Sequence, residues 1–93
     1  MAAPEAEIDV ELRERALDAI TTLLRRLLKR EEPVTEDMLM AEHLGLSSSL
    51  SLELLLELEE QLRIQIDVET LNPERTRTVG ELATFVAAHG RPW

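Results

Sequence analysis

Cysteine is absent from this 93-residue sequence, which excludes disulfides, thiolate nucleophiles and cysteine-ligated metals. Histidine occurs only at His43 and His89, too few for a metal cluster. Phe85 and Trp93 are the only aromatic residues, so the core has to be aliphatic. Apolar runs are short, as in Leu54-Leu55-Leu56, against the roughly 20 residues that span a bilayer. The opening MAAPEAEID has neither a basic end nor an apolar stretch, so it is no secretory signal. No membrane partner and a cytoplasmic location are expected. Lys and Arg are missing altogether between residues 31 and 62.

That last absence organises the charge. Residues 31–62 carry nine Asp and Glu, whereas the rest of the chain balances ten acids with ten bases. The whole net charge of −9 therefore belongs to one central segment. This distribution argues against nucleic acid as a partner, because its phosphates need Lys and Arg. A basic protein surface is the complementary partner, although a solvated helix face produces the same pattern. The length fits one domain with a modest core.

Leu12, Ala16, Ile20, Leu23 and Leu27 recur at three- and four-residue steps, which predicts an amphipathic helix from about Asp9 to Arg30. Glu7, Asp9 and Glu11 near its start and Arg25, Arg26, Lys29 and Arg30 near its end suit the helix dipole. Pro33 is the expected stop. After a loop broken at Gly45, a second helix is expected over Ser48–Leu62. Leu54, Leu55, Leu58 and Leu62 give it one face, and Leu52 and Leu56 form a further pair one turn apart. Such an apolar arc exceeds one core contact, so part of it is available to a partner. Ile64-Gln65-Ile66 alternates like a strand but has no visible pairing partner, and is expected as an extended connector. Leu71-Asn72-Pro73-Glu74 suggests a short helix or turn. Thr78-Val79-Gly80-Glu81 has the spacing of a capping box for a last helix ending at Gly90. The fold class is thus all-α, a small bundle of three main helices plus a short third one. A flexible tail at 1–8, a folded domain over 9–89 and a C-terminal tail at 90–93 complete the expected organisation.

Ser47, Ser48 and Ser49 stand where the second helix begins. One hydroxyl suffices as a cap, worth about 1 kcal/mol. No Gly-x-Ser-x-Gly elbow is present to support a hydrolase, and no catalytic constellation accompanies the serines. A helix N-terminus does suit a phosphate, through its unpaired N–H groups and the dipole. Capping and covalent attachment both remain open on these residues alone.

The segment VTEDMLMAEHLGLSSSLSLELLLELEEQLRIQI, from Val34 to Ile66, resembles an acyl carrier protein without a gap. Leu44-Gly45-Leu46 matches the family's entry, Leu52-Glu53-Leu54 its helix opening, and Leu58-Glu59-Glu60 with Ile64-Gln65-Ile66 its exit. Thr78-Val79-Gly80-Glu81-Leu82 looks like the final-helix opening, and the likeness extends from about Leu12 to His89. The resemblance implies a 4′-phosphopantetheine arm joined through its phosphate to Ser48, with acyl intermediates held as thioesters on the arm. Ser49 is the second choice, since a one-residue slip pairs Ser49-Leu50 with the family's Ser-Leu but breaks the match at Leu52-Glu53-Leu54. The motif departs from the pattern: Ser47 replaces an Asp and brings no charge, and Ser49 replaces an apolar residue.

The resemblance further implies a carrier that is not an enzyme, serving a fatty-acid or, given the missing Asp, a polyketide-type pathway. Its partners would be a phosphopantetheinyl transferase, an acyl-loading enzyme, and a ketosynthase or tailoring enzymes with basic docking surfaces. Leu52, Glu53, Leu56, Glu57, Glu59 and Glu60 are the candidate docking residues. Solubility for the acids and core packing for the two leucines are the competing readings. Leu58, Leu62, Val79 and Val86 are read as core or as a cargo lining. A free-standing monomer is expected. The rival reading is an unmodified helical adaptor that binds a basic protein through its acidic second helix.

Overall fold

The first helix, α1 (Val10–Leu27), buries Ala16, Ile20 and Leu23 of the expected stripe together with Ala19 and Leu24 beside them, while Leu12 and Leu27 are only half-buried. The computed structural model describes residues 10–67, 69, 71, 74 and 76–92, so Glu7 and Asp9 at the expected start lie outside the described residues. Helix α1 ends well before Pro33, the expected stop. Lys29 turns into the left-handed region at φ 52°. Its N–H donates to Arg26 O at 3.3 Å, and that of Arg30 to Arg25 O at 2.8 Å, the nested pair that closes a helix C-terminus.

The second helix, α2 (Ser48–Leu62), buries Leu54, Leu55, Leu58 and Leu62 and stops at Arg63, again left-handed at φ 56°. Strand β1 (Ile64–Gln65) follows directly. The third long helix, α3 (Val79–His89), carries the expected capping box, with Thr78 and Glu81 each bonding the other's backbone. Helix α1 packs against both α2 and α3. Ile20, Leu23, Leu24, Leu54, Leu58, Val79 and Val86 form the innermost, fully buried layer, an aliphatic core as the composition requires.

Two expectations need correction. Ile64-Gln65 is not an unpaired connector: it forms an antiparallel ladder with β2 (Arg91–Pro92), Ile64 opposite Pro92 and Gln65 opposite Arg91. Residues 91–92, expected in a tail, are therefore part of the fold. Gly90 makes this return possible, because a Cβ there would lie 2.7 Å from Val86 O and 2.8 Å from Ile64 Cδ1. The short helix or turn expected at Leu71-Asn72-Pro73-Glu74 lies partly outside the described residues.

The loop before α2 is stitched to the start of α3. Leu39 bridges Thr78, Met40 N–H donates to Arg77 O at 2.9 Å, and Gly80 N–H donates to Glu36 O at 2.8 Å. Arg13 reinforces the seam from α1, donating through Nε to Thr84 Oγ1 and through Nη2 to Glu36 Oε1, both at 2.9 Å. These bonds anchor the loop that delivers the chain to Ser47. Among the described residues, no helix is long and apolar enough to cross a membrane.

Candidate functional site

The entry to α2 is fixed by short-range bonds. Leu39 N–H donates to His43 Nδ1 at 2.8 Å, His43 N–H donates back to Leu39 O at 2.8 Å, and Leu46 N–H reaches Met40 O at 2.9 Å. His43 thus spends a ring nitrogen on holding the turn. Buried Leu44 pins the loop to the core, and Gly45, at φ 64°, makes the reversal a larger side chain would resist.

The three serines have different environments. Ser47 is the N-cap: its Oγ accepts from Leu50 N–H at 3.2 Å and its carbonyl from Ser51 N–H at 2.8 Å. Capping is therefore satisfied by Ser47 alone. Ser48 is the first helical residue and is exposed. Its hydroxyl has no hydrogen-bond partner among the described residues, and neither does that of Ser49, also exposed. The N–H groups of Ser48 and Ser49 likewise donate to no described acceptor. The first turn of α2 contains no acidic residue. Two unpaired donors, the positive end of a helix dipole and no opposing carboxylate suit a phosphodiester borne by an adjacent serine.

Below the serines runs an exposed face. Ser48, Leu52 and Leu56 recur every four residues and so lie one above another on the helix. Leu52 is 54% and Leu56 55% exposed, so neither is core, whereas Leu54, Leu55 and Leu58 beside them are buried. Glu53 and Glu60 are exposed on the same helix with no partner among the described residues. The other two acids are engaged. Glu57 faces Arg26 of α1 at 3.6 Å, and Glu59 Oε2 accepts from Ile66 N–H at 2.8 Å, fixing the exit from α2. Neither engagement follows a helical repeat, so periodicity gave no signal for it.

Leu58, Leu62, Val79 and Val86 belong to the continuous core. A cleft of about 730 Å³ lies between α1, α3 and the 36–37 turn, lined by Arg13, Glu36, Asp37, Glu81, Phe85 and His89 among others, with no residue from α2. Within it the Thr35 hydroxyl, then Asp37's own backbone N–H and the nearby His43, hold the Asp37 carboxyl below the usual aspartate range. Among the described residues no group of three or more His, Cys, Asp or Glu is placed to hold a metal ion.

A family model described as a phosphopantetheine attachment site matches residues 18–86, well over half of the chain. Neither the curated proteins nor the solved structures give a match to the chain. The matched span runs from the middle of α1 through the serines and α2 to the end of the α3 core.

Proposed function

Since the chain belongs to the phosphopantetheine-attachment family, we propose that it is an acyl carrier protein whose arm is joined to Ser48 and whose α2 face docks successive enzymes. Members of this family are carriers, not enzymes, and 4′-phosphopantetheine is their covalent cofactor. A phosphopantetheinyl transferase and acyl-handling enzymes are accordingly partners. The arm supplies a terminal thiol, the reactive group that this cysteine-free chain lacks.

The observation that carries the assignment to Ser48 is the division of labour at the helix start. Ser47 Oγ is committed to Leu50 N–H, leaving Ser48 exposed at the first helical position with its hydroxyl and N–H unengaged. The unbroken alignment across Leu52-Glu53-Leu54 favours Ser48 over Ser49. Ser47 performs the cap that an Asp would, without its charge.

For docking, Leu52 and Leu56 offer a small apolar centre on the same stripe as Ser48, rimmed by Glu53 and Glu60. Glu57 and Glu59, each already engaged, contribute charge at the edge. Such a surface favours fast, salt-sensitive and short-lived contacts with basic partners, as a carrier visiting several enzymes requires. The neutral cap in place of Asp supports a polyketide-type pathway over general fatty-acid synthesis. The test is incubation with coenzyme A and a broad-specificity phosphopantetheinyl transferase, followed by intact mass measurement. Gain of one phosphopantetheine, abolished in Ser48→Ala and retained in Ser47→Ala and Ser49→Ala, is expected. Loss only in Ser49→Ala overturns the site, and no addition with several transferases favours the unmodified adaptor.

A further inference from the structure

The C-terminal end of α1 gathers cations on an otherwise acidic molecule. Arg25, Arg26, Lys29 and Arg30 fall within six residues. Arg25, Arg26, Arg30 and Thr22 line one open cleft of about 310 Å³. Their present partners are weak ones. Arg26 Nη2 stands 3.6 Å from Glu57 and Arg30 Nη2 3.3 Å from Glu32, in pairs where one side chain is at least 60% exposed. Pairs of this kind contribute little. Arg25 donates through Nη2 to the Glu31 carbonyl at 2.8 Å, an uncharged acceptor. Most tellingly, Arg30 Nε is fully buried and donates to no acceptor among the described residues. A buried cationic N–H without a partner is costly.

A helix C-terminus ordinarily repels anions through its free carbonyls. Here three of the last four carbonyls are occupied: Leu24 O accepts from Leu28 N–H at 2.9 Å, Arg25 O from Arg30 N–H and Arg26 O from Lys29 N–H. The cleft is lined by three arginines and a threonine. Guanidinium forks match the tetrahedral oxygens of a phosphate, and charge-assisted bonds of that geometry are the strong ones.

We propose that Thr22, Arg25, Arg26 and Arg30 form a binding site for a phosphate group: as the 3.6 Å and 3.3 Å ion pairs give way to the ligand, the Arg30 side chain turns its buried, unpartnered Nε–H toward it. This site is independent of the arm at Ser48. It gives an acidic carrier a second, cationic surface through which a phosphorylated molecule is held at the α1 end.

The test follows the Arg Nε–Hε resonances of the full chain by NMR during titration with inorganic phosphate, with sodium chloride at matched ionic strength as control. Saturable shifts of the Arg25, Arg26 and Arg30 signals with phosphate alone are expected. Arg30→Gln should weaken binding by at least about tenfold, and so should Arg25→Gln, each with an unchanged helical circular dichroism spectrum. Shifts that chloride reproduces, or a dissociation constant that neither variant alters, overturn the proposal. Once binding is seen, flotation with phosphatidate-containing phosphatidylcholine vesicles assigns the phosphate to a lipid headgroup, and failure to float assigns it to a soluble phosphate; both outcomes uphold the site.

Discussion

Leu56→Ala and Leu58→Ala make the same chemical change two residues apart on one helix, and the structure predicts opposite consequences. Leu58 is 0% exposed within the innermost layer, while Leu56 is 55% exposed. Truncating a fully buried leucine costs about 2–5 kcal/mol, through lost transfer energy and the cavity left behind. Truncating an exposed one away from caps and pairs stays within about 0.5 kcal/mol. A chain of 93 residues has a total stability of about 5–14 kcal/mol, so Leu58→Ala removes a large part of it. At about 4–8 °C per kcal/mol for a domain of this size, a loss of 3 kcal/mol lowers Tm by about 12–24 °C. Urea unfolding followed by circular dichroism measures both variants at unchanged m-value. Leu56→Ala should instead slow acyl transfer to a partner enzyme. Equal destabilisation by the two substitutions, or a Leu56→Ala loss above about 1 kcal/mol, refutes the orientation of α2 on which the docking face depends.

Gly90→Ala places a methyl group 2.7 Å from Val86 O and 2.8 Å from Ile64 Cδ1, so it should cost about 1–3 kcal/mol and release the β1–β2 pairing, seen as faster amide exchange at the strand. Arg63→Gly should raise stability by about 0.5–1 kcal/mol in the same urea assay, because φ 56° burdens any residue with a Cβ. The Asp37 carboxyl titrates below the ordinary aspartate value of 3.8 in the folded chain. Its contribution to stability is therefore complete above that value and is lost as pH falls through the folded one, and Asp37→Asn should flatten the stability-against-pH curve in that acidic window. Repulsion among the nine acids of residues 31–62 should make Tm rise between low and physiological NaCl; a flat response counts against it.

Much of this was legible in the sequence because local signals agreed. The leucine spacing, the serines before it and the capping box at Thr78 and Glu81 each specify α2 or α3 from neighbouring residues alone. What escaped depends on contacts between distant residues. Pro33 suggests the stop of α1, yet the chain turns earlier, at Lys29, which adopts the left-handed conformation without being glycine. The partner of Ile64-Gln65 is a two-residue strand containing a proline, a residue that argues against strand on its own. Glu57 and Glu59 carry the same acidic signature as Glu53 and Glu60, but an arginine on another helix and a backbone N–H seven residues downstream engage them. Leu52 and Leu56 could be core or surface by spacing, and only the packing of α1 decides that they face outward.

In the proposed function one hydroxyl of three carries the arm. Trypsin should release residues 31–63 as a single peptide, since Lys and Arg are absent between Arg30 and Arg63. That peptide contains Ser47, Ser48 and Ser49 together. Fragmentation mass spectrometry of the peptide from transferase-treated protein locates the added phosphopantetheine. The mass should lie on Ser48; the mass on Ser47 or Ser49, or an unmodified peptide after treatment with several transferases, rules out attachment at Ser48.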